Sequence, residues 1–411
     1  MTERLYYTDS HLLEFDARVV SVSRLEDGRA AVALDRTAFY PTGGGQPNDT
    51  GTLGPARVVD CSEVDGANVL HVVEGDAPEA GADVRCRVDA ARRRDHMQQH
   101  TGQHILSQAF VELYGAQTRS FRMTTDACEV DVELSDPSDE RVERAITRAN
   151  EIIWDDRAVR VHNVTPEGAA LLPLRKDSER EGELRVIEIE GFDFSPCGGT
   201  HASRTGEVGV VVARQWERAK GLVRVTFAAG TRALEDYRRA NTTARATAAV
   251  FSVGRDEAAT AAARLQEDNK HLQRRLRASE EVAARAEARE LLEESEGLSG
   301  VSRVDGASAG APRVVARVFE GREAEDLRRL ASAVAAHAGA VALLGSREES
   351  GARLVFARHP EAHGDMNALL REACRALEGR GGGRPDLAQG GGPRTDLLPE
   401  VIEHAARSLR A

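Results

Sequence analysis

The first part of the chain alternates between apolar and polar positions in short runs. These runs are rich in valine and alanine, are separated by Gly, Asp and Pro, and read FDARVVSVS, RAAVALDRT, ARVVDCSEV, NVLHVVEG and ADVRCRVD. Alternation with a period of two is typical of strands that bury one face. Short strands at this spacing predict a small β-barrel or sandwich over residues 1–90.

The segment 91–240 mixes helical and strand patterns. Helices are expected from about Arg92 to Leu113 and over DERVERAITRANEIIWDD. Strands are expected at TRSFRMTT, at ACEVDVEL, at 160–164 and at 184–190, and a hairpin with a Lys220-Gly221 turn is expected over VGVVVARQWERAKGLVRVTFAAG. This mixture predicts an α+β domain.

The segment 241–298 is rich in Ala, Arg and Glu and predicts helices. Leu265, Leu272 and Leu276 recur at spacings of seven and four, but Asn269 and Ser279 interrupt the stripe. This broken pattern favours helices that pack in a hairpin or on a partner over a long regular coiled coil. It favours a homodimer and a monomer about equally.

The last segment, 299–411, begins with a linker-like stretch, GLSGVSRVDGASAGAPR spanning 297–313. It continues with patterns for strand, helix, two strands and helix, which predict a compact α/β module. The predicted fold class is therefore a multidomain α+β protein. It comprises a small β-barrel, an α+β domain, a helical linker and a C-terminal α/β module.

Composition narrows the class of protein. The 411 residues are 41% hydrophobic and 30% charged. The N-terminus carries no signal-peptide pattern, and no apolar run reaches the length of about 18 residues that a transmembrane helix needs. We therefore expect a cytoplasmic protein with no membrane partner. The five cysteines are odd in number and scattered, which argues against a disulfide framework.

The net charge of −12 disfavours a polyanionic partner at first sight. However, the basic residues are nearly all arginines, and some cluster, as in Arg92-Arg93-Arg94 and Arg274-Arg275-Arg277. Because arginine makes bidentate contacts with phosphate, the composition does not exclude a local basic groove on an otherwise acidic protein.

Two pairs of residues carry the strongest chemical signal. His100 and His104 are four apart on the predicted helix, so both imidazoles lie on one face. Cys197 and His201 are four apart in the glycine-rich sequence CGGTH. Three imidazoles and one thiolate form a typical zinc ligand set. Four protein ligands favour a structural site, whereas a catalytic zinc keeps a position for water, and the sequence leaves both alternatives open.

Two glycine-rich segments could approach a ligand closely. The first, 42–47, reads TGGGQP and follows Thr37, whose hydroxyl could reach the same site; a tight barrel turn and a buried strand threonine are the simpler interpretations. The second, 379–392, reads GRGGGRPDLAQGGG and could form a phosphate cradle with its flanking arginines, or a flexible linker.

These motifs resemble a known family. FYPTGGGQPNDTG, HTGQH and CGGTH, in this order, are similar to the editing domain of alanyl-tRNA synthetases and its free-standing relatives. GRGGGRPDLAQGGG resembles the C-terminal module of the same synthetases, which also occurs in DHH-type phosphoesterases. Together the similarities cover essentially the whole chain and point to the long form of the alanyl-tRNA editing proteins.

The resemblance implies a function. Such a protein hydrolyses Ser-tRNA(Ala), and in some cases Gly-tRNA(Ala), in trans while sparing Ala-tRNA(Ala), and it has no aminoacylation activity of its own. Carried over to this sequence, the Zn²⁺ ligands are His100, His104, Cys197 and His201. Thr37 and Gln46 map to the catalytic pocket, and Arg380 and Arg384 map to the surface that contacts tRNA(Ala).

Two other functions remain as alternatives. The chain could bind tRNA around a structural zinc without turnover. A phosphoesterase would need an Asp-His-His motif, and Asp95-His96 lacks the second histidine. The sequence also leaves open which group activates water in a deacylase.

Overall fold

The computed structural model describes residues 1–175, 182–298 and 312–410. The chain forms two compact units, Met1–Val250 and Phe251–Ala411, and each is described by itself. The predicted fold class, a mixed α and β protein with several sheets, is confirmed. The four-domain division at residues 90, 240 and 298 stays a prediction.

The first unit begins with a small β-barrel. In the fully described stretch before the first long helix, the strands are β1 (Glu3–Arg4), β2 (Glu14–Arg24), β3 (Ala30–Leu34), β4 (Arg36–Thr37), β5 (Gly51–Leu53), β6 (Ala56–Val64), β7 (Asn68–Glu74) and β8 (Asp83–Val88). Six of these close into a barrel in the order β2-β3-β7-β6-β5-β8. The barrel pairs are antiparallel, whereas β1 and β4 pair in parallel. Alternation along β2 places Phe15, Ala17 and Val19 inside the barrel.

Helix α1 (Ala90–Tyr114) follows the barrel directly. Its first turn is capped by Asp89, whose carboxylate accepts hydrogen bonds from the backbone N–H groups of Ala91 and Arg92. It ends at Gly115, whose φ of 64° is a left-handed conformation that glycine adopts without strain. The prediction of a helix from about Arg92 is confirmed.

The rest of the first unit surrounds α1 with two sheets. Its elements are β9 (Thr118–Met123), β10 (Cys128–Val132), α2 (Asp139–Trp154), β11 (Val159–Val164), α3 (Pro166–Ala169), β12 (Leu184–Ile189), β13 (Asp193–Pro196), β14 (Val211–Ala219), β15 (Leu222–Ala229) and α4 (Gly230–Val250). One sheet has the order β14-β15-β10-β9, and the other has the order β11-β12-β13. The apolar faces of α1, α2 and the first of these sheets share one core. The sequence did not predict β13, which leads into the CGGTH turn.

The second unit is a sheet between helices. Its described elements are α5 (Ala258–Leu298), β16 (Arg313–Glu320), α6 (Ala324–Ala335), β17 (Ala340–Glu348), β18 (Gly351–Arg358), α7 (Met366–Ala376), β19 (Arg380–Gly383), β20 (Leu387–Gly392) and α8 (Leu398–Arg410). The sheet has the order β16-β17-β18-β20-β19. One face packs against α7 and α8, and the other packs against α6 and the end of α5.

The glycine-rich segment 379–392 differs from the expected loop. It forms the hairpin of β19 and β20, so much of its backbone takes part in the sheet ladder and the predicted phosphate cradle is wrong. A side chain at Gly381 would lie 2.8 Å from the Sγ of Cys374 on α7. Glycine is therefore needed because the hairpin packs tightly against that helix.

The segment 241–298, which was predicted to be helical, contains the end of α4 and all of α5. Leu265, Leu272 and Leu276 on α5 are 57–60% exposed. A homodimer through this stripe stays a prediction. The linker-like stretch 297–313 lies mostly outside the described residues. None of the helices in the described ranges combines the length and apolar character needed to cross a bilayer.

Candidate metal centre

Helix α1 supplies two imidazoles to one buried site. His100 and His104 lie one turn apart on the same face, and their ring centroids are 5.3 Å apart. Their residues are only 2% and 4% exposed. The helical spacing predicted from the sequence therefore brings both rings to one place.

The turn after β13 brings Cys197 and His201 to the same point. The Sγ atom of Cys197 lies 3.4 Å from Nε2 of His100 and 3.3 Å from Nε2 of His201. The four candidate ligand atoms all lie within 4.8 Å of one another. In a tetrahedral zinc site, bond lengths of 2.3 Å to sulfur and 2.0–2.1 Å to nitrogen put S and N about 3.5 Å apart. The four residues therefore fit a zinc ion.

Each histidine ring has an oxygen atom beside its other nitrogen. Nδ1 of His100 donates to Oε1 of Gln46 over 2.7 Å. Nδ1 of His104 lies 3.4 Å from Oδ2 of Asp193, and Nδ1 of His201 lies 3.4 Å from Oγ1 of Thr101. A hydrogen on each Nδ1 leaves each Nε2 with a free lone pair, which is the tautomer that a metal requires.

Gln46 is held in place from both ends of its amide. Its Nε2 donates to Oγ1 of Thr200 over 2.9 Å, and its Oε1 also accepts from the backbone N–H of Thr200 over 3.2 Å. Gln46, which the sequence predicted as a pocket residue, therefore joins the glycine loop to the CGGTH turn. It also contacts the candidate ligand His100 directly.

The glycine loop 42–47 is a tight turn that packs on β9. The backbone N–H of Met123 donates to the carbonyl oxygen of Gly45 over 2.8 Å. Gly45 has a φ of 84°, and a Cβ atom there would lie 2.5 Å from the backbone oxygen of Phe121. This close approach explains why position 45 needs glycine. Of the three consecutive glycines, Gly44 lines the cavity at the site and the other two do not.

Asp193 and Arg185 complete the support of the site. Nε of Arg175 donates to Asp193 over 2.9 Å, and Ser195 donates its hydroxyl hydrogen to the same carboxylate. Nη1 of Arg185 donates to the carbonyl oxygens of Cys197 and Gly199 over 2.6 and 3.0 Å. Sequence reasoning missed these residues, and only Asp193 lies close to the CGGTH motif in the sequence.

The electrostatics of the cluster favour a thiolate and a neutral imidazole. Burial alone would raise the pKa of Cys197, but His100 and His201 hold it well below its ordinary value. Burial lowers the pKa of His201 to about 3, against the opposing effect of Cys197. Burial opposes the charged form of His104, but Asp193 and Cys197 raise its pKa. A deprotonated thiol is the form that binds a metal.

A cavity of about 620 Å³ opens beside the four residues. His100, His104 and Cys197 form part of its wall. Polar and charged side chains also line it, among them Tyr7, Gln103, Thr118, Arg119, Ser120, Arg175 and Arg185. Three of the four candidate ligands are therefore accessible from this cavity.

The structure places Thr37 apart from this cavity. Its side chain is fully buried in the first unit, where its hydroxyl lies 2.8 Å from Nε2 of His71. Nδ1 of His71 donates to the carbonyl oxygen of Val32 over 3.0 Å, so Nε2 accepts the hydroxyl hydrogen of Thr37. Of the two predicted pocket residues, the structure brings only Gln46 to the metal cluster.

Arg380 and Arg384 lie in the second unit. Arg380 begins β19 and is exposed, and Arg384 follows that strand and pairs with Asp386 over 3.0 Å. Asp95 pairs with Arg232 over 2.6 Å, and His96 is buried; neither belongs to the four-residue metal cluster. The phosphoesterase alternative therefore finds no support at these positions.

Comparison with known proteins identifies the family. The chain is 31% identical to the alanyl-tRNA editing protein AlaX-L of Pyrococcus horikoshii over 423 aligned residues, which cover 100% of this chain and 99% of that protein. This chain belongs to the alanyl-tRNA editing protein family. It is also 35% identical to the alanine–tRNA ligase of Natronomonas pharaonis, covering 100% of this chain but only 44% of the ligase. This chain therefore spans less than half the length of that ligase.

Three family descriptions match parts of this chain. Residues 2–92 match "tRNA synthetases class II (A)", 184–226 match "Threonyl and Alanyl tRNA synthetase second additional domain", and 310–411 match "DHHA1 domain". The crystal structure of the C-Ala domain from Aquifex aeolicus alanyl-tRNA synthetase is 31% identical, with a TM-score of 0.24. It covers 26% of this chain and 100% of that domain.

Proposed function

We propose that this protein is a zinc-dependent deacylase of mischarged tRNA(Ala). Ser-tRNA(Ala) is the proposed main substrate and Gly-tRNA(Ala) the second, whereas Ala-tRNA(Ala) is spared. One observation carries the proposal: three imidazole nitrogens and a thiol sulfur lie within 4.8 Å of one another, and three of these four residues, His100, His104 and Cys197, border an open cavity. Membership of the alanyl-tRNA editing family supports the choice of substrate.

The four clustered residues, His100, His104, Cys197 and His201, are the proposed zinc ligands. When bound, zinc supplies Lewis acidity, which draws electron density from an ester carbonyl or acidifies a water molecule beside it. Gln46 and Asp193 act as positioning residues, because each faces the Nδ1 atom of a candidate ligand ring.

The reaction needs little further chemistry because an aminoacyl ester is already activated. The oxygen of a water molecule adds to the carbonyl carbon, the bond from that carbon to the ribose oxygen breaks, and the ribose oxygen takes up a proton. Serine and uncharged tRNA(Ala) are the products. Positioning the ester and the water in the cavity is the main contribution of the protein.

We assign tRNA binding to the second unit, with Arg380 and Arg384 as contacts to the phosphate backbone. Arg380 is exposed, and the ion pair of Arg384 with Asp386 is itself at the surface. An arginine in this position can exchange a surface carboxylate for a phosphate at small cost. The reaction would take place in the cytoplasm, where tRNA is aminoacylated.

A deacylation panel tests this function. The full-length, zinc-loaded protein is incubated with Ser-, Gly- and Ala-tRNA(Ala), and the remaining ester is measured over time. We expect hydrolysis of Ser-tRNA(Ala) well above its spontaneous rate and little loss of Ala-tRNA(Ala). Binding of tRNA without turnover would contradict the proposal and favour a tRNA-binding protein with a structural zinc.

A further inference from the structure

Tyr7 places a hydroxyl group in the wall of the cavity beside the candidate metal centre. Its side chain lines the cavity together with Cys197 and Gly198. Nη1 of Arg4 donates a hydrogen bond to the hydroxyl oxygen of Tyr7 over 2.8 Å, so the hydroxyl hydrogen points away from Arg4. Within the described ranges, that hydrogen has no acceptor on the protein. Tyr7 therefore has a donor left for a ligand.

The other hydroxyl groups in the wall already donate their hydrogens to neighbouring residues. They belong to Thr118, Ser120 and Ser195. Among the hydroxyl side chains that line this cavity, Tyr7 is thus the one whose hydrogen has no described acceptor.

Gly198 supplies a second donor next to this hydroxyl. A Cβ atom at Gly198 would lie only 3.6 Å from the hydroxyl oxygen of Tyr7. The other four backbone N–H groups of the CGGTH turn, at positions 197 and 199–201, all donate to described atoms. The N–H of Gly198 has no acceptor in the described part of the chain. Two donors without acceptors therefore lie close together, directly after the candidate ligand Cys197.

Two guanidinium groups add positive charge at the same place. The Cζ atoms of Arg4 and Arg185 each lie 5.4 Å from the centroid of the Tyr7 ring. Arg185 is only 8% exposed, and its described hydrogen bonds go to backbone carbonyl oxygens and not to a carboxylate. Its charge is therefore not neutralised by a described ion pair. Fixed donors and positive charge in a buried site favour an oxygen that carries negative charge.

We infer that the hydroxyl of Tyr7 and the backbone N–H of Gly198 form an oxyanion-binding pair for the carbonyl oxygen of the ester. The inference rests on the proposed deacylase function. When water adds to the carbonyl carbon, the electron pair of the C=O bond moves onto the oxygen. The pair returns when the bond to the ribose oxygen breaks, and the ribose oxygen takes up the proton that the water releases. The two donors stabilise the carbonyl oxygen while it is negative.

This pair suits a metal centre that has four protein ligands. Four ligands fill the positions of a tetrahedral zinc. Donors on the protein hold the carbonyl oxygen even when every position on the metal is occupied. In this assignment Tyr7 is a catalytic residue, because its hydroxyl contacts a reacting atom, and Arg4 is a positioning residue, because it orients that hydroxyl.

The test compares Tyr7→Phe with Tyr114→Phe. The two tyrosines are matched, because an arginine also lies over the ring of Tyr114, but the hydroxyl of Tyr114 donates to the carbonyl oxygen of Arg141 outside this cavity. In Tyr7→Phe, Arg4 keeps its ion pair with Glu63. The rate of ester cleavage in a single turnover of Ser-tRNA(Ala) and the bound zinc are measured on the same full-length samples.

We expect Tyr7→Phe to cleave the ester about 100-fold more slowly with its zinc content unchanged, as for the loss of one oxyanion donor. Tyr114→Phe should keep the wild-type rate and zinc content. A Tyr7→Phe protein that cleaves at the wild-type rate would overturn the inference. So would one that loses zinc together with activity, because Tyr7 would then support the metal and not the reacting oxygen.

A binding measurement separates this inference from the deacylase proposal. Two analogues of 3′-seryl-adenosine that resist hydrolysis are titrated calorimetrically: a phosphonate, which is tetrahedral and negatively charged at the position of the carbonyl group, and a planar, neutral amide. We expect the wild type to bind the phosphonate more tightly, and Tyr7→Phe to lose about 100-fold in affinity for the phosphonate but little for the amide.

The outcomes of this titration are distinct. A wild type that does not prefer the phosphonate, or a Tyr7→Phe protein that loses affinity equally for both analogues, would overturn the oxyanion-binding pair. A wild type that prefers the phosphonate through Tyr7 but releases no serine from Ser-tRNA(Ala) would overturn only the deacylase function.

Discussion

The Nδ1 atom of His100 donates a hydrogen bond to Oε1 of Gln46 over 2.7 Å, and Nε2 of the same ring lies 3.4 Å from Sγ of Cys197. The glycine loop thus sets the tautomer of a residue on helix α1. The ring is held between an amide oxygen and a thiol, which is the arrangement that a metal ligand needs.

Substitution of Gln46 tests this arrangement. Gln46→Leu removes the acceptor of the His100 hydrogen bond, and loss of such a partner typically lowers metal affinity about 10- to 100-fold. Gln46→Glu keeps an acceptor oxygen and should retain most of the affinity. Competition with a zinc chelator measures the effect, with Gln98→Leu, an α1 residue that donates to the carbonyl oxygen of Glu207, as the matched control. Wild-type zinc affinity in Gln46→Leu would refute the positioning role.

The buried His71 predicts a specific loss of stability in acid. Burial lowers its pKa from 6.5 to about 4, so the folded state favours the neutral ring. This contribution is complete above pH 6.5 and is lost as the pH falls toward 4, because the unfolded chain then binds a proton that the folded chain does not. Between pH 8 and pH 5 the loss is about 2 kcal/mol.

Urea unfolding at the two pH values measures this effect. His71→Gln removes the titrating ring, so its free energy of unfolding should fall less between pH 8 and pH 5 than that of the wild type. His404→Gln, at an exposed position on α8, should behave as the wild type does. Equal losses in all three proteins would show that His71 does not titrate as expected.

Thr37→Val tests the environment of the threonine. The substitution leaves Nε2 of His71 buried without a partner, which should lower the free energy of unfolding by about 1–3 kcal/mol. Thr37→Ser keeps the hydroxyl and should lose much less. The resemblance also implies that Thr37 contacts the amino acid of the substrate. The rate of deacylation per folded molecule, measured on the same samples, tests that contact. A Thr37→Val protein as stable as the wild type would contradict the hydrogen bond to His71.

Arg380 and Arg384 should contribute to tRNA affinity but not to chemistry. With both changed to Gln, the slope of log affinity against log salt concentration should become shallower by about two. Hydrolysis of a small seryl ester should stay at the wild-type rate. Arg264→Gln, at an 85% exposed side chain on α5, serves as the control. An unchanged salt slope would remove these arginines from the interface.

The candidate ligands could be predicted because their signals are local. His100 and His104 share a helix face through their spacing alone, and Cys197 and His201 share one turn. Asp193 and Thr101, which face the outer nitrogens of His104 and His201, could not be predicted in the same way. Their role depends on which strand ends beside α1, and a single sequence does not reveal that arrangement.

One expectation, the glycine-rich loop at 379–392, failed to match the structure because tertiary packing overrides local preference. The glycines of 379–392 have low strand propensity, yet they form strands because α7 and Cys374 leave no room for side chains. Thr37 is close in sequence to the glycine loop, but β4 directs its side chain to His71. The buried strand threonine is the interpretation that the structure supports, and a contact of Thr37 with the amino acid stays a prediction.

The most direct test of the central claim is a paired measurement on Cys197→Ala. Bound zinc and the deacylation of Ser-tRNA(Ala) are determined on the same full-length sample, with Cys374→Ala, a buried cysteine of the second unit, as the control. We predict that Cys197→Ala loses zinc and loses deacylation by at least about 100-fold, in line with the loss of a metal or its supporting contacts. Cys374→Ala should retain both. Full deacylation by a Cys197→Ala protein, with or without bound zinc, would contradict the account.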